Sequence, residues 1–123
     1  MNLSLQHAII RTSDIDKAKE FYVTKLGLEV LEEAKNFFAC KAGTARLSFF
    51  GGYEKPTDLE EPKTGMSLVL RVDDLDKAIE ELKNKGIKLN GEVIDIPYFH
   101  KFQEIEDPDS TILFLAEYHV EPV

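Results

Sequence analysis

Few side chains in this 123-residue chain could do chemistry: three histidines and one cysteine stand beside 23 acidic residues. His7, in an apolar segment near the amino terminus, is the best catalytic candidate, because a histidine exchanges a proton near neutral pH. The alternative is a histidine that only hydrogen-bonds inside the fold. Cys40 lies in an apolar segment, which predicts a buried small hydrophobe rather than a nucleophile. The sequence contains no nucleophile elbow, phosphate-binding loop or helical histidine pair.

A second group of candidates comes from an aromatic-rich segment. If this segment is a strand, Tyr98, His100, Phe102 and Glu104 share one face, because successive strand side chains point to opposite sides. One interpretation is a second set of ligand contacts, and the other is a solvated edge strand. A metal site built from His7, His100 and Glu104 is conceivable, although no spacing rule fixes their distances.

An internal repeat indicates which elements position these residues. Shifting the sequence by sixty residues aligns residues 7–25 with residues 67–85, and seven of the nineteen pairs are identical. One deletion then brings Gly27 onto Gly86. The shared Asp-x-Asp-Lys-Ala-x-Glu at one register predicts two copies of one structural unit, since unrelated amphipathic segments would not share it.

Each copy predicts a strand, an amphipathic helix and three more short strands. Ser13 and Asp73 are the predicted N-caps of the helices, and Gly27 and Gly86 the predicted left-handed C-caps. The predicted strands are 3–11, 28–33, 36–41 and 45–50 in the first copy, and 66–72, 88–96, 99–106 and 111–118 in the second.

The prediction is therefore a single α+β domain over residues 1–123, made of two β-α-β-β-β modules. Module one covers residues 1–52, a proline-containing linker covers 53–64, and module two covers 65–123. One helix covers only one face of a four-stranded sheet, so two modules can curl their bare faces around a shared cavity. Such a cavity is the default position for a binding site.

Composition narrows the classes of function. The net charge of −8, with lysines interleaved among acids, argues against nucleic acid as a partner. No apolar stretch approaches the roughly 20 residues of a membrane span, and the amino terminus lacks the pattern of a signal peptide. One cysteine cannot form an internal disulfide. We expect a cytoplasmic protein with no membrane partner.

Several motifs together resemble one family. They are the paired modules, His7 on the first strand, Val-Asp-Asp-Leu-Asp-Lys-Ala at the start of the second helix, and Asp107-Pro108-Asp109 before the last strand. The chain is similar to the vicinal oxygen chelate superfamily: glyoxalase I, bleomycin-resistance proteins, fosfomycin-resistance enzymes and extradiol dioxygenases. It departs from the family pattern at Ser110 and Thr111, where Gly-Asn is usual.

The resemblance implies four metal-ligand positions, on the first and last strand of each module, usually held by His and Glu. Here these positions carry His7, Ser48, Ser67 and Phe114. Neutral hydroxyls are poor ligands for divalent ions, and a phenyl ring is no ligand at all. We therefore expect no metal and no cofactor.

Strand alternation through these four positions predicts the residues that contact a ligand. The lining is apolar and aromatic with few polar groups, which is typical of small-molecule sites and also of a packed core. The predicted ligand-binding residues are His7, Ile9, Ser48, Phe50, Ser67, Val69, Tyr98, His100 and Phe114, with Phe102, Arg46, Arg71 and Tyr118 beside them.

Three hypotheses for the function follow. The favoured one is a metal-free small-molecule-binding protein, similar to the bleomycin-resistance branch, with an aromatic or apolar ligand that is neutral to cationic. The alternative is a metal-dependent lyase or dioxygenase with an unusual ligand set, or an enzyme that uses His7 without metal. The third is a dimerisation or regulatory domain whose cavity is packed shut.

We also expect a homodimer, because two-fold assemblies are the commonest and relatives with two modules per chain commonly pair. Phe37, Phe38, Phe49 and Phe50 exceed what one small core needs, which suggests that some of them lie at an interface.

Overall fold

The computed structural model describes residues 1–2, 6–52, 54 and 67–121. The chain divides into two compact units, Met1–Asp58 and Leu59–Val123. Over the described residues, each unit has the order strand, helix, three strands, which confirms the predicted α+β fold of two β-α-β-β-β modules. The predicted linker lies almost wholly outside the described residues, so its boundaries stay a prediction.

The first unit places its helix between two parallel strands. Strand β1 (Ala8–Arg11) leads to α1 (Ile15–Lys19), which continues as a π-helical segment over Glu20–Lys25. The remaining strands are β2 (Glu29–Ala34), β3 (Phe37–Ala42) and β4 (Ala45–Phe50). The sheet order is β1-β4-β3-β2, with β1 parallel to β4 and the other pairs antiparallel. A parallel pair needs a crossover connection, and the helix supplies it.

The second unit repeats this arrangement. Its elements are β5 (Leu68–Arg71), α2 (Leu75–Asn84), β6 (Leu89–Ile96), β7 (His100–Glu106) and β8 (Ile112–Tyr118), in the sheet order β5-β8-β7-β6. Even the register is shared: Ile9 lies opposite Ser48 in the first sheet, and Val69 lies opposite Phe114 in the second. The repeat seen in residues 7–25 and 67–85 therefore extends to the last strand of each unit.

The helix caps correct one prediction. Asp14 and Asp74, not Ser13 and Asp73, are the N-caps, and the Asp14 carboxylate accepts the backbone N–H groups of Asp16 and Lys17. In each unit two consecutive residues have side chains that can cap the helix. The second one does so, because the pairing of the preceding strand extends almost to the first. In the first unit the Thr12 N–H still donates to the Phe50 carbonyl, so the helix begins later.

The predicted C-caps are confirmed, because Gly27 and Gly86 have φ of 81° and 73°. These values favour glycine, which has no Cβ to clash. The helices before them differ: the Leu26 N–H donates five residues back to the Phe21 carbonyl, whereas in α2 the Lys85 N–H donates four residues back. A π turn adds one residue to an α-helix. The π turn therefore accounts for the one extra residue in the first copy, which is why a deletion is needed to align Gly27 with Gly86.

The core of each unit lies between helix and sheet. In the first unit Phe49 stacks on Phe38 with 4.4 Å between ring centroids, and the Tyr22 ring lies 4.4 Å from Phe49. Both phenylalanines are fully buried, so of the four considered for an interface, Phe38 and Phe49 belong to the core. The second unit buries Leu75, Leu82, Ile87, Ile105, Leu113 and Leu115.

Candidate functional site

The first sheet presents a bare face on the side away from its helix. Ile10 and Phe49 point toward the helix and are buried, whereas Ile9, Ser48 and Phe50 alternate to the other side. Ile9 is 50% exposed and Phe50 is 37% exposed. The predicted contacts of module one therefore share one face of one sheet.

A chain of polar side chains crosses this bare face. The Nδ1 atom of His7 lies 2.9 Å from Ser48 Oγ, and Arg46 Nε donates a long hydrogen bond of 3.5 Å to the same oxygen. Arg46 also donates through Nη2 to a carboxylate oxygen of Glu32, at 2.6 Å. The arginine charge is thus compensated, and Ser48 itself is completely buried.

The bare face of the second sheet is aromatic. Strands β7 and β8 pair His100 with Tyr118 and Glu104 with Phe114, which brings their side chains to the same side. The His100 ring lies 5.1 Å from Tyr118 and 5.3 Å from Phe102, and Phe102 meets Phe114 edge to face at 5.3 Å. We call these four residues, His100, Phe102, Phe114 and Tyr118, the aromatic cluster. Phe99 extends it by stacking on His100 at 3.9 Å.

Polar groups border the aromatic cluster on two sides. Asn90 Nδ2 donates to the carboxylates of Glu104 (3.0 Å) and Glu106 (2.8 Å), which holds two negative charges next to the rings. Among the described residues, His100 Nδ1 is the one buried side-chain nitrogen or oxygen that lacks a partner. Buried polar atoms are usually paired, so the unpaired nitrogen of His100 is an exception within the aromatic cluster.

On the other side of the cluster, Arg71 lies over the Tyr118 ring at 5.5 Å and donates two hydrogen bonds to Glu121. The hydrogen bond and the charge of Arg71 lower the pKa of Glu121, and the same contact raises the pKa of Arg71. Both arginines on the bare faces, Arg46 and Arg71, therefore have a carboxylate partner.

Two sequence-based predictions need correction or comment, and one further histidine makes a contact that the sequence did not predict. Tyr98 does not share the strand face with His100: it lies in the turn between β6 and β7, with φ of 72° and 92% exposure. Because Tyr98 has a left-handed backbone conformation, the strand alternation that predicted its position does not extend to it. Ser67 precedes β5 and is exposed. His119, to which no role was assigned, bonds Asp95 at 2.7 Å.

Some of these groups gave no signal in the sequence. Tyr118 follows from alternation along β8, but Glu121 lies beyond the strand, where no periodicity applies. Its pairing with Arg71 joins residues fifty positions apart. Only the folded chain shows such a contact.

The residues at the four metal-ligand positions do not fit a metal ion. Phe114 has no donor atom, Ser48 is hydrogen-bonded to His7, and Ser67 offers a neutral hydroxyl. No group of three His, Cys, Asp or Glu side chains in the described parts of the chain is arranged to hold a metal. The combination of His7, His100 and Glu104 draws on both units and gains no support.

Cys40 is not a nucleophile in this fold. The side chain is fully buried on β3, as predicted. Burial raises the pKa of its thiol, and the positive charge of Lys19 opposes this only in part. A protonated, inaccessible thiol does not react.

The paired modules, the shared register and the position of His7 define a class. The model of the Glyoxalase/Bleomycin resistance protein/Dioxygenase superfamily matches residues 4–113, and the chain belongs to this superfamily. It is 32% identical to the uncharacterized protein YwkD of Bacillus subtilis (strain 168), over 93% of this chain and 96% of that protein.

Solved structures give the same result. The chain is similar to SMU.1112c (29% identity, TM-score 0.78, 94% of this chain and 98% of that one). It is also similar to a glyoxalase family protein from Enterococcus faecalis, with 28% identity and a TM-score of 0.75 over 93% of this chain and 97% of that one. A lactoylglutathione lyase from Agrobacterium tumefaciens shares the fold at 20% identity and a TM-score of 0.73, over 93% of this chain and 92% of that one. Over the described residues, no helix is long and apolar enough to cross a membrane.

Proposed function

We propose that the protein binds a small molecule without a catalytic metal, and that the aromatic cluster of module two is its main contact surface. The observation that carries the proposal is this row of four rings, each in contact with the next, which lies on the sheet face away from the helix core. A half-exposed aromatic surface with a few polar groups at its border is typical of small-molecule sites. We further infer a cytoplasmic location.

The charges around the cluster favour a neutral or cationic ligand. Glu104 and Glu106 lie beside the rings, whereas the nearby Arg71 is already paired with Glu121. A cation over an aromatic face gains roughly 0.5–2 kcal/mol, and ring stacking adds about 0.5–1.5 kcal/mol per pair. A planar, mostly apolar molecule with a neutral or positive polar group meets all of these conditions.

Three probes with one ring system test this preference: 2-naphthylmethylamine, 2-naphthylmethanol and 2-naphthoate. We expect the cation and the neutral alcohol to raise the melting temperature more than the anion does. At 100 times its dissociation constant a ligand adds about 2.7 kcal/mol to the free energy of unfolding, which shifts the melting temperature of a small domain by about 10 °C.

Phe102→Leu is the test variant, because leucine keeps the apolar volume but removes the ring. Binding should weaken by about 2- to 13-fold, the equivalent of one stacking contact. Phe38→Leu, which makes the same change in the buried core of the first unit, is the matched control and should bind the probes like the wild type. No response to any probe, or an equal response in Phe102→Leu, contradicts the proposal.

Metal analysis separates binding from the metal-dependent alternative. We expect less than stoichiometric metal in the purified protein, and no stabilisation by Ni²⁺, Zn²⁺, Mn²⁺ or Fe²⁺, because the four positions supply one imidazole and no carboxylate. One metal ion per chain, lost in His7→Ala, would instead support a lyase or dioxygenase with an unusual ligand set.

A further inference from the structure

Within the second unit, one end of the aromatic cluster carries a carboxylate. Directly opposite residues of an antiparallel strand pair project from the same face of the sheet. The opposed pairs of β7 and β8 on the bare face are Glu104 with Phe114, Phe102 with Ala116, and His100 with Tyr118. Glu104 therefore stands beside Phe114, and the face continues from this pair to Tyr118 over four residues of β7, which is about 13 Å.

An uncharged amide fixes the position of this carboxylate. Asn90 lies opposite Glu104 on β6, and its Nδ2 group donates one hydrogen bond to Glu104 and one to Glu106. The two bonds use both N–H groups of the amide, and they bring two carboxylates to one end of the cluster without cancelling their charge. An ionised carboxylate offers about four lone pairs, so the bond from Asn90 leaves room for a further donor.

The other end of the cluster already holds a cation. Arg71 lies over the Tyr118 ring at 5.5 Å, and it forms an ion pair with Glu121. A second positive charge placed over Tyr118 meets the charge of this arginine, whereas a positive charge beside Phe114 meets Glu104. The two ends therefore orient a ligand that has one cationic group.

The rings at the carboxylate end form a corner. Phe102 and Phe114 meet edge to face, with 5.3 Å between ring centroids and 87° between the ring planes. A flat ring that stacks on one of them meets the edge of the other, and both of these arrangements are favourable for aromatic groups. A planar ligand in this corner lies next to Glu104.

We propose that Glu104 is the residue that selects the charge of the ligand, and that the ligand is an aromatic amine. Its protonated nitrogen donates to Glu104, and its ring system lies in the corner between Phe102 and Phe114. A charge-assisted hydrogen bond to a carboxylate is stronger than a neutral one, and a cation beside aromatic rings is attracted by them as well. The inference rests on the proposed binding function and names its ligand class, a primary or secondary ammonium on a planar ring.

The amine 2-naphthylmethylamine and the alcohol 2-naphthylmethanol test this assignment, because they differ only in the charged group. Titration calorimetry of the wild type should give about 5-fold or tighter binding of the amine. Glu104→Gln keeps the shape of the side chain and removes its charge, so it should abolish this preference and leave the affinity for the alcohol unchanged. Glu104→Asp, which keeps the charge on a shorter side chain, should retain part of the preference.

Two matched variants make the same change from glutamate to glutamine elsewhere. Glu80→Gln alters an exposed residue of α2 and should keep the wild-type preference for the amine. Glu106→Gln should reduce the preference less than Glu104→Gln does, because Glu106 lies opposite Ile112, one step further from the rings. An equal loss in Glu80→Gln would assign the effect to net charge, and an equal or larger loss in Glu106→Gln would assign it to the wrong carboxylate; either result overturns the proposal.

Intermolecular NOEs in the wild type test the orientation without any variant. The methylene protons next to the ammonium of the bound amine should show NOEs to the Phe114 ring, and NOEs to Tyr118 in their place overturn the proposal. If the wild type binds both probes equally and Phe102→Leu weakens both, the proposed binding function stands and the role of Glu104 fails. If neither probe binds, the proposed binding function itself fails.

Discussion

At the scale of single residues, two adjacent phenylalanines in β4 show that the face of the sheet to which a side chain points determines its environment. Phe49 is fully buried between Phe38 and Tyr22, whereas Phe50 contacts only Phe37 among the described rings and remains 37% exposed. Both residues are phenylalanines, so residue type alone gives them the same preference for burial. The strand alternation sends one to the core and the other to the bare face, where an aromatic ring is available to a ligand or a partner.

We expect Phe49→Ala to lower the free energy of unfolding by about 3–5 kcal/mol, because it removes a ring from a packed core and leaves a cavity. Phe50→Ala is the matched control and should cost less than about 1.5 kcal/mol, since part of that ring is already in water. Urea unfolding followed by circular dichroism measures both. Similar costs for the two variants would contradict the face assignment.

At the scale of elements, the pairing of β6 with β7 contains a bulge that one side chain stabilises. The pairing shifts register between Asn90 and Ile94, and Gly91 has φ of 68°. The buried amide of Gln103 donates to the carbonyls of Asn90, Gly91 and Glu104, at 3.2, 3.2 and 3.0 Å. A bulge disrupts the regular ladder, and the Gln103 side chain replaces the lost partners.

Replacing Gln103 by leucine should lower the free energy of unfolding by about 1–3 kcal/mol, because buried carbonyls lose their donor. Amide hydrogen exchange should increase around Gly91 more than in β8. Gln6→Leu, an exposed glutamine outside the strands, is the control and should change neither quantity. An unchanged exchange pattern in Gln103→Leu would show that the bulge does not depend on this side chain.

At the scale of the whole molecule, the surface combines a net charge of −8 with an apolar edge. Strand β6 is at the edge of its sheet, and it exposes Val93, Ile94 and Ile96 to 40%, 53% and 41%. Exposed apolar edge strands pair with other chains unless charge or proline prevents it. We propose this edge, rather than the buried Phe38 and Phe49, as the interface of the predicted homodimer.

We therefore predict that the protein is a homodimer, with twice the monomer mass by light scattering at micromolar concentration. Ile96→Lys should shift it toward monomer, because a two-fold interface contains each substituted residue twice. Val120→Lys alters an equally exposed residue after β8 and is the control, expected to stay dimeric. A wild-type particle of monomer mass contradicts this prediction.

The sequence by itself determined the class of fold, the repeat and the family. Apolar alternation, glycine at helix ends and the sixty-residue repeat are local or pairwise patterns, so they survive without knowledge of the tertiary contacts. Strand β4 has its predicted bounds, and β8 lies within one residue of its own. The four metal-ligand positions came from the family resemblance, and only the residue types at those positions were read from the sequence.

Other features depended on contacts between distant residues, and only the tertiary structure decided them. Asp14 caps its helix because strand pairing still engages Thr12, and Phe49 is core because Tyr22 and Phe38 meet it. Likewise, the pairing of His7 with Ser48 spans 41 residues. No sequence pattern encodes this contact, because it depends on the pairing of β1 with β4 in the folded chain.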